Sequence, residues 1–176
     1  LAGLTLGTYG IVGLTLHFIA HQLGKAVLFM TAGAIIVQYD MLDMSKMGGL
    51  QRYIPSIGGA ALLGWMSLAG IFTVGLLGEF FLFLGLLTTL GLSLNTLWAF
   101  VGLAFLFLLT GTYGFWALKE VFYGQPRWPY TKTKPSNKLV VPLYVLGLTS
   151  VILLFPPIST TLIHTILSAI GVITHV

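Results

Sequence analysis

From Thr8 to Gln38 the chain runs through 31 residues with a single Lys, Arg, Asp or Glu among them, Lys25. A helix needs about 20 apolar residues to cross the roughly 30 Å of a bilayer's hydrocarbon, and a run this long and this poor in charge has little else to become. Four more apolar runs follow, Ser56–Phe72, Leu76–Leu90, Thr96–Tyr123 and Leu139–Phe155, set apart by polar stretches at 39–55 and 124–138. Of 176 side chains, 8 are Lys or Arg and 4 are Asp or Glu, whereas about a quarter of a soluble domain is charged. With a mean hydropathy of +1.00, such a surface cannot be wetted. A soluble enzyme, a nucleic-acid binder and a disordered tail are excluded. The formal net charge of +4 comes mostly from loop cations, so no nucleic-acid partner is expected. The chain has no cysteine, which removes disulfides and thiolate-held zinc, iron–sulfur or haem centres. No cofactor is expected, and no carboxylate cluster suggests a metal. There is no GxGxxG and no P-loop, and His164 and His175 lack the neighbours of a catalytic triad.

The fold class expected is all-α: a polytopic transmembrane helical bundle, one helix discontinuous, closed by a C-terminal amphipathic helix. Leu76–Leu90 would be only about 22 Å long as a helix, short for a crossing. The breaks beside it are Thr73–Gly75 and Gly91–Asn95. Lys46 and Arg52 lie in the first polar stretch; Arg127, Lys132, Lys134 and Lys138 lie in the second. Basic loops tend to share one side of a membrane. That favours reading Leu76–Leu90 and Thr96–Tyr123 as one interrupted crossing, and such breaks are tolerated only where protein or a cavity surrounds them. After Pro156–Pro157 an apolar stripe (Ile158, Leu162, Ile163, Ile166, Leu167, Ile170) faces threonines, Ser168 and His164. Such a helix suits the interface better than a crossing, with a further crossing as the alternative. The 22 glycines read as helix packing. The chain opens at Leu1 in mid-pattern, with no signal peptide; a processed or a partial N-terminus would both look so.

Charge inside the apolar runs is the functional signal. His17, His21 and Lys25 recur at i, i+4 and i+8, one face of a helix spread over about 12 Å. Lys25 lies about 18 Å from the nearer helix end, beyond what its stem can snorkel. Ionisable groups at such depth are costly and mark ion or proton pathways; taken singly, each histidine could equally serve ordinary helix–helix hydrogen bonding. Glu79, in GLLGEFFLFLG (75–85), is the acid surrounded by unbroken apolar sequence; its alternative role is a static counter-ion for Lys25. Tyr113, Thr110, Thr88 and Thr89 could extend a hydrated path, although membrane hydroxyls usually bond their own backbone. Lys119 and Glu120 belong to a helix end.

LHFIAHQLGKAVLFMTAGAI (16–35) followed by DMSKMGGLQRYIP (43–55) resembles the antiporter-like membrane subunits of complex I, of Mrp-type cation/proton antiporters and of membrane-bound hydrogenases. LAGIFTVGLLGEFFLFLG (68–85) is similar to the family's discontinuous helix and GFWALKEVFYG (114–124) to the end of that crossing. The resemblance implies a central relay at His17, His21 and Lys25 and a terminal exchange group at Glu79. GEF matches the glutamate-bearing subunit type, while HQLGK is closer to the lysine-bearing type, a mixture that suggests a hydrogenase-like or archaeal relative. Residues 1–176 would form one transmembrane domain equivalent to the later part of a longer subunit, most of its second inverted repeat and the tail.

The function so implied is a proton-translocating, multi-pass subunit of a redox-driven pump in the cell membrane or another energy-transducing membrane. Its enzyme would be a proton-translocating oxidoreductase whose redox centres lie in other chains. Its partners would be other membrane subunits, the missing N-terminal half or a split partner subunit, and the lipid bilayer. The alternatives are an Mrp-type sodium/proton antiporter subunit and a structural membrane subunit.

Overall fold

The computed structural model describes residues 2–171. Every regular element among the described residues is helical. A short α1 (Ala2–Thr5) leads into α2 (Gly7–Tyr39), which ends at Asp40 in the left-handed conformation, where its N–H closes on the Ile36 carbonyl. Short polar side chains tolerate that geometry. Two 3₁₀ turns, Met44–Lys46 and Leu50–Arg52, carry the chain to α3 (Pro55–Leu68), opened by a proline whose missing N–H costs nothing there. Next come α4 (Val74–Leu90) and α5 (Leu94–Leu118); Ser93 caps α5 by accepting from Thr96 N–H. A π-turn over Lys119–Tyr123 extends α5. The polar 124–136 segment then leads to α6 (Asn137–Ile152) and α7 (Ile158–Ala169). Gly7–Tyr39 and Leu94–Tyr123 are long and apolar enough to cross a membrane.

Close approaches along α2 fix the topology. Gly24 meets Gly64 and Leu68, Ala20 meets Gly75, Gly13 meets Gly78 and the backbone of Leu82, and Gly10 meets Gly85. As numbers fall along α2 they rise from α3 into α4, so α3 and α4 follow one another, antiparallel to α2, as two halves of one interrupted helix. The same two halves run antiparallel to α5: Trp65 faces Gly114, Ala69 faces Gly111, and Phe83 packs on Phe107 and Phe100. This corrects the expected position of the interrupted crossing. α4 and α5 lie side by side, joined by a turn at 91–93, and the interruption falls at 69–73, between α3 and α4. There Gly70 (φ +64) and Phe72 (φ +51) both take left-handed backbone, which no helix can continue through.

α6 packs on α3, Gly147 against Leu63 and Tyr144 Oη beside Gly59. α7 is amphipathic as its sequence indicates: Leu162, Ile163, Ile166 and Leu167 join Val12, Leu16, Ala20 and Val74 in one cluster, while Thr160, Thr161, His164, Thr165 and Ser168 are exposed. Four of the stripe's six residues thus pack toward α2 and α4, while Ile158 at the start of α7 stays exposed. The other large cluster, around Ile35, Leu50, Ile54, Ile57, Leu118 and Phe122, lies where the two polar segments meet. Those segments clasp each other: Gly48 abuts the Gln125 carbonyl, Arg127 donates to Ser45 O (3.2 Å) and to Glu120 Oε2 (2.6 Å), and Tyr130 Oη donates to Lys46 O (3.4 Å). Seven of the eight cations, all but Lys25, therefore stand at one end of the bundle.

Candidate functional site

The α2–α4 seam is built from missing side chains. A Cβ on Gly78 would lie 2.6 Å from His17 N, and one on Gly13 would lie 2.6 Å from Leu82 N. Main chain therefore touches main chain at the level of His17, as small residues permit between membrane helices. The His17 ring leaves this seam toward α5, 5.6 Å from the Phe107 ring, and lies 4.3 Å from the His21 ring. His17 Nδ1 is buried and has no hydrogen-bond partner, a cost that calls for a water or another polar group.

The three-residue row is not uniformly buried. His17 and His21 are half-buried, and Lys25 is exposed on the surface of the chain. Eight residues on a helix of 3.6 per turn advance the row by about 80° beyond two whole turns. It therefore begins at the α4 seam and, by Lys25, has turned off the flank on which Gly24 meets α3.

Glu79 follows Gly78 and is half-buried beside the interruption. Its carboxylate lies against Gly70 and lines a cavity of about 570 Å³ with Ala69, Ile71, Phe107, Leu108, Gly111, Thr112 and Phe115. Among the described residues the ion pairs are Lys46–Asp43 (4.0 Å) and Arg127–Glu120 (2.6 Å). Glu79 is thus no counter-ion to Lys25 in this conformation. A second cavity, about 430 Å³, opens on His17 between Leu14, Leu82, Leu86 and the α5 residues Leu103, Leu106 and Phe107. The structure therefore brings His17 and His21 together, sets Glu79 across the seam from them and leaves Lys25 one turn further out.

The hydroxyls split from this site. Thr88 and Thr110 bond the carbonyls of Leu84 and Leu106, the ordinary behaviour of helix threonines. Tyr113 meets Trp65 edge to face. Thr73, in the interruption, is wholly buried with an unpartnered Oγ1. His164 is exposed on α7, and His175 lies outside the described residues. No group of three or more His, Cys, Asp or Glu among the described residues could hold a metal. At the clasped end, hydrogen bonds from Ser45 hold the Asp43 carboxyl below its ordinary range, and burial pushes the Tyr130 phenol up.

Sequence reasoning took Gly70 for one of the helix-packing glycines, and it missed Gly78 and the Tyr39–Tyr53–Tyr130 ring cluster (centroids 5.1 and 5.2 Å). For Gly70 the available signal was a glycine two residues before an aromatic in LAGIFTVG, with no proline to flag the break.

Long apolar helices, an interrupted helix and ionisable groups kept along their seam are consistent with an integral membrane protein of the helical kind. The chain belongs to the NADH:quinone oxidoreductase/Mrp antiporter transmembrane family, whose pattern residues 1–107 match. It is 31% identical over 153 residues to NADH-ubiquinone oxidoreductase chain 5 of Mammuthus primigenius, covering 85% of this chain and 25% of that one. It is 31% identical over 147 residues to a protein named antiporter subunit mnhA2 in Staphylococcus saprophyticus, covering 74% of this chain and 18% of that one. With hydrogenase-4 component B of Escherichia coli it shares 38% identity over 66 residues, 38% of this chain and 10% of that one. The chain spans about a quarter or less of the length of these relatives.

Proposed function

We propose that the chain is the later part of an antiporter-like, proton-translocating membrane subunit of a redox-driven complex, crossing the bilayer four times through α2, α3–α4, α5 and α6–α7. His17, His21 and Lys25 form the central relay and Glu79 the terminal exchange group. The observation that carries this reading is the pair of imidazoles 4.3 Å apart at the seam where α2 touches the interrupted helix that bears Glu79. Imidazoles pass protons at ordinary pH, and a water at the unpartnered His17 Nδ1 would extend the chain of donors. Lys25, exposed on this chain alone, is covered in the assembly by the preceding part of the subunit or by a split partner, since an ammonium facing lipid is costly. A charge arriving beside Lys25 changes its proton affinity, and the proton leaves by the histidines or by Glu79. Redox chemistry belongs to other subunits, so this chain contributes translocation without a redox centre of its own.

The test is redox-driven proton uptake in membrane vesicles, wild type against Lys25→Met, with assembly followed on native gels. Uptake lost from an assembled complex supports the relay, and unchanged uptake removes it. A second reading, a subunit of a sodium/proton antiporter, is favoured by the similarity to the mnhA2 protein. It predicts sodium-dependent proton movement with no redox substrate present.

A further inference from the structure

Gly70 takes left-handed backbone (φ +64) in the interruption between α3 and α4. A Cβ built there would fall on Glu79 Oε1, 2.7 Å from Cδ and 3.1 Å from Oε2. The carboxylate thus rests against a bare Cα, with the cavity bounded by Ala69, Ile71, Gly111 and Thr112 on its open side. Backbone conformation alone does not demand a glycine here. Phe72, two residues on, takes φ +51 with an exposed side chain, so the interruption accepts a left-handed residue with a side chain where space allows. At Gly91 φ is also positive (+65, with ψ −170), yet nothing lies within 4 Å of a Cβ. What distinguishes Gly70 is the carboxylate occupying the place of its side chain.

We propose that Gly70 is a positioning residue for Glu79, a seat that holds the carboxylate at the boundary between the helix interruption and the cavity. The proposal rests on the reading of Glu79 as an exchange group. With the seat filled by a methyl, the carboxylate must leave that boundary, and a misplacement of about 1 Å at a reacting group can cost as much as a hundredfold in rate. Shortening the acid by one methylene withdraws it from the same collision.

The experiment uses the full-length subunit in its native assembly and reads redox-driven proton uptake in vesicles, with assembly checked on native gels. Gly70→Ala should lower uptake about tenfold or more in an assembled complex, and Gly91→Ala, also at a positive φ but with nothing within 4 Å of the added Cβ, should not. Gly70→Ala/Glu79→Asp should work better than Gly70→Ala, and Gly70→Ala/Glu79→Gln no worse than Glu79→Gln. The infrared carboxylate bands lost in Glu79→Gln should be displaced in Gly70→Ala. If Glu79→Gln abolishes uptake while Gly70→Ala retains it, the seat is wrong and Glu79 keeps its role. If Glu79→Gln pumps like wild type, the exchange-group reading fails, and the proposal with it. Equal losses in Gly70→Ala and Gly91→Ala reduce Gly70 to a backbone requirement and overturn the proposal.

Discussion

The backbone nitrogen of His17 lies 2.6 Å from the position a Cβ would take on Gly78, so α2 and α4 meet main chain to main chain where the His17 ring leaves the seam. Gly78 is mid-helix, and its value is the side chain it lacks.

Gly78→Ala is therefore expected to splay α4 from α2 and to lower stability by about 1–3 kcal/mol, the usual range for overpacking. Gly33→Ala meets nothing within 4 Å and serves as the neutral control. Thermal melting of the assembled complex should separate the two. Equal midpoints would mean that the seam yields more easily than its backbone contacts imply.

At His21 and His17 the expectation concerns rate. His21→Ala removes the ring whose centre lies 4.3 Å from that of His17 and should lower proton uptake about a hundredfold, the lower bound usual for a positioned acid–base group. His164→Ala, on the exposed face of α7, should leave it unchanged. Uptake in vesicles, normalised to assembled complex, makes the comparison.

Arg127 joins the two polar segments through Glu120 Oε2 and Ser45 O. The side chains of the pair are 45% and 23% exposed, so solvent screening limits the bridge to about 1 kcal/mol or less. Arg127→Ala should accordingly leave the global melt nearly unmoved and loosen only the clasp. Faster proteolytic nicking within 124–136 is the expected signature.

The Tyr130 phenol, raised above its ordinary value by burial, favours its neutral form in the folded clasp. Its contribution is therefore complete below the unfolded-state value near 10 and is lost as pH rises through the higher folded-state value. Tyr130→Phe abolishes this titration and also the donation to Lys46 O. The variant should be less stable by about 1 kcal/mol near neutrality and show a shallower alkaline decline. Melting midpoints across alkaline pH would reveal both effects.

How much of this was legible in the residues varies by element. The first long helix was expected at Thr8–Gln38 and lies at Gly7–Tyr39, because an uninterrupted apolar run followed by a polar stretch leaves its ends few choices. The interruption was misplaced by one element. Gly91–Asn95 reads as the stronger break and holds a tight turn between antiparallel helices, whereas the break read at Thr73–Gly75, within the stretch likened to a discontinuous helix, lies next to the true interruption at 69–73. Hydrophobicity shows where a chain is apolar but not whether two apolar pieces lie end to end or side by side. That choice is set by backbone contacts such as Gly13 on Leu82 and Gly111 beside Ala69, which no local pattern encodes. The spacing of His17, His21 and Lys25 correctly placed them on one helix. The graded exposure of that row depends on which flank of α2 is covered by α3 and α4, a tertiary fact.

The clasp also bears on biogenesis. The 40–54 and 119–138 regions hold every cation but Lys25 and stand together, while the turn at 91–95 carries no charge. Basic loops resist translocation and set the orientation of their neighbouring helices. The two basic segments thus favour a single polarity of insertion for this chain, and an uncharged turn at 91–93 costs little to carry across a bilayer. Moving a pair of lysines from the clasp to that turn would create a chain with two competing orientations, whose failure would appear at insertion, upstream of any loss of transport.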